Sequence, residues 1–168
     1  MTATSKNSTP GENKFEEYIR SCTIIPWKTI VVGIDNTYVS AIVFERALKL
    51  AASSCSKLYV LHVIPTSLPY SSKSEIAIEE GMYEFMLKEA EDMFNSIKKR
   101  FAEMKIDGET VLLEGDPAEE LIRFIKEKNI ELVILGSKEK MHTPVYLGSV
   151  SKKVSEQATC SVLIERIT

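Results

Sequence analysis

Five short aliphatic runs recur along the chain, and a segment with helical spacing separates each from the next. The runs are Thr29–Val32, Leu58–Ile64, Thr110–Leu113, Leu132–Leu135 and Ser161–Glu165. Brief runs that are β-branched and apolar on both alternating faces suit strands covered on both sides. Helices between successive strands impose right-handed crossovers and a parallel sheet. The pattern β-α-β-α-β-α-β-α-β therefore predicts an open, doubly wound α/β domain with helices on both faces. Its switch point brings the end of the first strand beside the end of the fourth.

The first strand stops at Gly33-Ile34-Asp35-Asn36, which sets Asp35 just past a carboxyl end. Asn36, Thr37 or Ser40 can cap the next helix, which runs to about Ser54 with Ile42, Val43, Ala47, Leu50 and Ala51 on one side. Thr66 to Ser74 is polar and reads as a long surface loop. From about Ile76 to Lys105, residues Met82, Met86, Ala90, Met93, Ile97, Phe101 and Met104 step by fours and threes, the spacing of a buried helical face. Asp107-Gly108 turns the chain. Asp116 is an N-cap, Pro117 fits the first helical position and Glu119 completes a capping box. That helix buries Leu121, Ile122, Phe124 and Ile125, and it ends in Lys126, Lys128 and a left-handed Asn129.

The stretch from Gly136 to Ser149 carries the main functional signal. Gly136-Ser137-Lys138-Glu139 follows the fourth strand, and Gly148-Ser149-Val150-Ser151 opens a helix reaching about Gln157. Backbone N–H groups and a hydroxyl at a helix N-terminus suit an anion. The competing reading makes both glycines plain turn residues, and the residues alone leave the two open.

Composition removes several function classes. At 168 residues, one domain is expected, residues 26–168, preceded by an extension over 1–25. Met1 to Asn13 is polar, with no signal peptide pattern, and Phe15, Tyr18 and Ile19 suggest a short helix. A net charge of −3, with scattered basic residues, gives no footprint for nucleic acid or an anionic membrane. No run approaches the roughly 18–20 apolar residues of a membrane span. Cys22, Cys55 and Cys160 make neither a disulfide framework nor a metal pattern. They read as thiols of a reducing cytoplasm, Cys55 and Cys160 as small packing residues. His62 and His142 lack partners at ligand spacing, so no zinc site is expected. His62 reads as a core residue with a local hydrogen bond. No Gly-x-Ser-x-Gly elbow surrounds Ser137 or Ser149. Asp35 can equally serve as a helix-capping carboxylate.

Taken together, Ile30–Asp35, Leu61–Ile64, Gly115–Ala118, Leu132–Ser137, Leu147–Val150 and Cys160–Ile164 resemble the universal stress protein family over about Trp27 to Arg166. The resemblance implies a five-stranded sheet of order 3-2-1-4-5, like that of the adenine nucleotide alpha hydrolases, and a homodimer. It implies that ATP, or else AMP or ADP, is bound, with Mg2+ held through the phosphates. By the same resemblance, Asp35 would contact the ribose, Val63 would read the adenine edge through its backbone, and Gly33 would line that pocket. Gly136, Ser137, Lys138, Gly148, Ser149, Val150 and Ser151 would hold phosphates. The sequence departs from the family's Gly-x2-Gly-x9-Gly-Ser/Thr signature: Glu139 replaces the second glycine, and eight residues, not nine, follow it.

The expected role is a cytoplasmic stress-response module that binds an adenine nucleotide and signals through its dimer. It is not expected to be an enzyme, beyond slow ATP hydrolysis at most. The alternative is a non-nucleotide-binding interaction protein of the same fold with an altered pocket. The segment after the first strand matches neither the His-x-Gly-His nor the Ser-Gly-Gly signature of adenylyl-transfer relatives, and Asp35 lacks the second acid of a phosphoacceptor receiver. Dimerisation is expected through the last strand, apolar at Val162 and Ile164, since an unpaired edge invites a second copy. The signalling partner is not identified by the sequence.

Overall fold

The computed structural model describes residues 27–71, 74–77, 80–138 and 147–167, with side chains outside 67–80 and 138. In chain order the elements are β1 (Thr29–Ile34), α1 (Tyr38–Ser54), β2 (Lys57–Ile64), β3 (Ser67–Ser71), β4 (Ser74–Ala77), α2 (Glu80–Met104), β5 (Gly108–Glu114), α3 (Pro117–Glu127), β6 (Leu132–Lys138), α4 (Ser149–Gln157) and β7 (Ser161–Ile167). The main sheet runs β5-β2-β1-β6-β7, and each of its pairs is parallel. Counting its own five strands, this is the expected order 3-2-1-4-5. β1 lies between β2 and β6, so the chain reverses direction across the sheet at the β1/β6 boundary.

Alternation along the strands feeds two cores. Ile30, Val32, Leu58, Val60, Leu132 and Ile134 face α1 and α2, where Val43, Leu48, Phe94 and Ile97 are buried. Val31, Tyr59, Leu61, Val133 and Leu135 face the opposite layer, with Leu121, Phe124, Ile125 and Val154. Edge-on ring pairs stiffen each layer: Phe44–Phe101 at 6.2 Å and Tyr59–Phe124 at 5.3 Å between centroids. Burying each large aliphatic side chain contributes about 1.5–3 kcal/mol, and β1 is apolar on both faces, so it is fixed from both sides.

Several expectations need correction. The stretch read as a long loop holds an antiparallel pair, β3 with β4, in which Leu68 stands opposite Ile76. Polar composition masked the strands there because the alternation is short. Ile76 consequently belongs to β4, and the long helix begins at Glu80. Met82 is exposed, as is Phe85, so the buried stripe of α2 starts only at Ala90. Phe94 joins that stripe instead. Gly108 opens β5, and the turn before it passes through Lys105, whose φ is 53°. Cys55 is exposed and caps α1 in the left-handed region, at φ 53°, so it is not a packing residue. Cys160 is half-buried, and burial raises its thiol above the ordinary range. Asp116 caps α3 as expected, accepting from the Glu119 N–H at 2.8 Å. The Glu119 carboxylate, however, accepts from Lys153 at 2.9 Å, and among the described residues it makes no reciprocal bond to the Asp116 N–H. Asn129 is left-handed at φ 50°, as expected. The extension over residues 1–25, with Cys22, lies outside the described residues, as do Glu139, His142 and Pro144.

Candidate functional site

The site begins where β1 runs out of partners. β6 pairs with β1 only over Ile30–Val32, so the chain beyond is free to lift off the sheet at that side. It does so at Asp35. Thr37 is the N-cap of α1, accepting from the Ser40 N–H at 3.3 Å. The Ser40 and Thr37 hydroxyls both donate to Asp35 Oδ1, the former across 2.6 Å. Ser40 Oγ also accepts the Asp35 N–H at 2.9 Å. The Asp35 carboxylate therefore holds the hydroxyls of the cap residue Thr37 and of Ser40, and it borders a cavity at the same time.

That cavity has a volume of about 300 Å³. Gly33, Asp35, Val63, Gly136, Gly148, Ser149, Val150 and Ser151 all line it, so most of the predicted residues converge. Two predicted residues stand differently. Ser137 is buried at 1 % exposure and does not line the cavity, and its hydroxyl has no hydrogen-bond partner among the described residues. Lys138 ends β6 opposite Ile167, and its side chain lies outside the described residues. Thr37, Ser40, His62, Pro117, Leu121 and Leu135 also line the cavity and carried no sequence signal for it. Leu121 and Leu135 read as core, and both are core as well.

Two glycines make the room. A Cβ on Gly33 would stand 2.8 Å from Leu135 Cδ2 and 3.2 Å from Leu121 Cδ2. One on Gly136 would meet Val39 at 2.9 Å and Val43 at 3.0 Å, on the α1 side of the sheet. Gly148 differs, because a Cβ there would meet nothing within 4 Å among the described residues. It caps α4 with no side-chain hydrogen bond among the described residues, which leaves the first amides of that helix open to a ligand as far as those residues reach. A helix N-terminus carries about half a positive charge, and here it borders the cavity. The Ser151 hydroxyl turns away to the Gly136 carbonyl at 3.0 Å. The glycine corner and the first amides of α4 are the features a phosphate would complete, whereas the Ser137 hydroxyl lies buried away from the cavity.

Across the mouth, Lys153 bridges α4 to the start of α3, at 2.9 Å from Glu119 and 3.5 Å from Asp116. The hydrogen bond to Glu119 holds the Lys153 ammonium above its ordinary range. A larger cavity of about 440 Å³ lies on the other side of Asp35, between α1 and α2. Its rim carries Glu89 and Asp92 with no basic residue, so it disfavours phosphate. The smaller cavity is the better anion site despite its size. Among the described residues there is no cluster of three or more His, Cys, Asp or Glu able to hold a metal, and no helix long and apolar enough to cross a membrane.

Comparison with known proteins follows the same lines. Residues 26–166 match the Universal stress protein family. Universal stress protein YxiE of Bacillus subtilis is 34% identical over 150 residues, covering 82% of this chain and 97% of that protein. Among solved structures, universal stress protein UspA from Lactobacillus plantarum superposes with a TM-score of 0.66 at 20% identity, over 83% of this chain and 99% of its own. The universal stress protein of Archaeoglobus fulgidus in complex with dAMP gives a TM-score of 0.58 at 20% identity, over 83% and 98%. An Arabidopsis thaliana protein of the family with AMP bound gives 0.56 at 16%, over 83% and 92%. At these identities the structures speak for the fold, and the sequence match over nearly the whole domain speaks for the lineage: the chain belongs to the universal stress protein family of stress-response proteins.

Proposed function

We propose that this chain binds an adenine nucleotide in the cavity between β1, β2, β6 and the N-termini of α3 and α4. The observation that carries the reading is convergence: Asp35, the Val63 backbone and the Gly148-Ser149 corner border one space, although 113 residues separate Asp35 from Gly148. Asp35 would take the ribose and Val63 the adenine edge. Gly33 and Gly136 keep the floor clear. Lys138, Ser149, Val150 and Ser151 would hold phosphate through N–H groups and the Ser149 hydroxyl, whereas the buried Ser137 hydroxyl has no direct part in this reading. ATP, ADP and AMP share this chemistry, and Mg2+ would enter only through the phosphates. The dAMP and AMP complexes of relatives with this fold support the assignment.

The role we infer is that of a binding module and not of a turnover enzyme, with the Asp35 carboxylate engaged by the Thr37 and Ser40 hydroxyls at the start of α1. Signalling would pass through a cytoplasmic homodimer joined at β7, which ends the sheet and carries Val162 and Ile164. One observation favours a second reading. Glu139 stands where the family's signature has glycine, and a carboxylate near a phosphate path repels it. On that reading the cavity is altered, and the chain acts by interaction alone.

Melting the purified protein with and without ATP-Mg or AMP separates the two. A ligand that binds only the native state raises the melting temperature, by linkage equivalent to about 2.7 kcal/mol at one hundred times Kd. The shift is expected with wild type and lost with Asp35→Ala and Ser149→Ala. No shift at millimolar nucleotide supports the interaction-only reading.

A further inference from the structure

The peptide bond joining Ile34 to Asp35 is held on both of its polar sides by side chains from different elements. Its carbonyl, Ile34 O, lies 2.9 Å from His62 Nδ1 on β2. Its N–H, on Asp35, donates to Ser40 Oγ at 2.9 Å on α1. A carbonyl can only accept, so Nδ1 must carry the proton, which sets the tautomer of His62. β6 has already left β1 two residues earlier, and Ile34↔His62 is the last register pair between β1 and β2. No further ladder fixes the orientation of this peptide plane.

Resting on the nucleotide reading above, we propose that His62 and Ser40 are positioning residues that aim the Asp35 carboxylate at the ribose hydroxyls. Ser40 acts twice: its hydroxyl accepts the Asp35 N–H and donates to Oδ1 at 2.6 Å. This closes a small ring that leaves the carboxylate little rotational freedom. His62 acts once, on the carbonyl behind it. Its place beside Val63 gives the device its use. Successive strand residues point to opposite faces, so the end of β2 turns Val63 toward the α3 layer and His62 toward α1 and α2. One strand end thus sets both the backbone that reads the base and the ring that fixes the acid for the sugar. A purely structural histidine would support the fold but would not discriminate between sugars.

The test compares AMP with its 2′,3′-dideoxy analogue by calorimetry on the full chain. Removing the histidine donor in His62→Leu is expected to weaken AMP on the order of tenfold, the worth of a misaimed hydrogen bond to a charged group. The same substitution should leave the already weak dideoxy analogue unchanged, because nothing remains for Asp35 to hold. His62→Asn keeps an N–H near the Nδ1 position and should restore AMP binding to within about threefold of wild type. Ser40→Ala should repeat the selective loss, and it carries the comparison alone if His62→Leu fails to fold. Equal weakening of both ligands, or no rescue by asparagine, overturns the proposal while wild-type AMP binding keeps the nucleotide reading intact. A wild type that binds neither ligand overturns both.

Discussion

The Ser151 hydroxyl donates to the carbonyl of Gly136 across 3.0 Å, joining the first turn of α4 to the end of β6. Ser151 is only 6 % exposed, so the Gly136 carbonyl would lose this partner in a dry setting. Ser151→Ala should cost about 1 kcal/mol, the net worth of a neutral hydrogen bond plus part of the desolvation of the orphaned acceptor. Urea denaturation should show a lower midpoint with an unchanged slope. The same variant frees the start of α4, so nucleotide affinity should fall with stability.

Gly33 lets Leu135 and Leu121 close the cavity floor. In Gly33→Val, even the first added carbon would sit 2.8 Å from Leu135 Cδ2. Crowding of this kind costs about 1–3 kcal/mol, and the displaced leucines move into the binding space. The expected result is a folded protein with a lower melting temperature that AMP no longer raises. Retention of the AMP shift would place the base away from this floor.

At the start of α3, Asp116 accepts from the Glu119 N–H at 2.8 Å, and Pro117 presets the first turn. Asp116→Ala should destabilise by about 1 kcal/mol, whereas Asp116→Asn keeps the acceptor and should cost much less. Lys153 retains Glu119 in either variant, so α3 and α4 stay bridged. Thermal denaturation of the three proteins side by side measures the difference.

Stability should also carry an acid limb from one surface pair. Arg100 on α2 meets Glu45 on α1 with both forks, at 2.8 Å and 2.9 Å. The hydrogen bond from Arg100 holds the Glu45 carboxyl below its ordinary 4.5, although partial burial opposes this. A folded value below the unfolded one means that the native state binds fewer protons over that interval. The contribution is complete above the unfolded value and disappears as pH falls through the lowered one. Both side chains are more than a third exposed, so solvent screens the pair and the effect is small. Wild type should melt above Glu45→Gln at neutral pH, and the gap should close as pH falls below the ordinary carboxylate range and shrink in high salt.

How far the chain could be read follows from where the information sits. The central strands announced themselves because β1, β2 and β6 are buried on both faces, as Val31 and Val32 show at 0 % exposure. The half-covered edge strands β5 and β7 were legible from their apolar runs and their place in the alternation. The start of α3 was equally plain, since Asp116 and Pro117 act within one turn. The meeting of Asp35 with Gly148 was legible through topology alone, because the strand order places the ends of β1 and β6 side by side. What stayed hidden depends on side chains choosing partners across space. Glu119 has two oxygen-bonding options, an amide three residues back or Lys153 34 residues on, and spacing cannot decide between them. His62 was expected to find some local hydrogen bond, yet its acceptor, the carbonyl before Asp35, could not be named without the β1–β2 register. The β3–β4 pair escaped because its alternation lasts too few residues to rise above a polar background.

The edge at β7 supplies the last prediction. The Ser161 N–H donates inward to Glu131 O at 3.1 Å. In a parallel ladder, the polar groups of successive residues point to alternate sides. Val162, Ile164 and Arg166 therefore turn their N–H groups away from β6, toward the open edge. The side chains of Val162 and Ile164 pack partly against their own α4 layer, so an edge contact must rest mainly on backbone pairing. That makes Val162→Pro a cleaner probe than a charge at Ile164. Proline removes one outward donor without touching the inward ladder, and proline is tolerated at sheet edges for this reason. Sedimentation over a range of concentrations should find wild type as a dimer and Val162→Pro as a monomer with nearly unchanged helix content. Should the proline variant remain a dimer of equal affinity, the two copies meet through some other surface, and β7 is an edge kept apart by its charged Glu165 and Arg166.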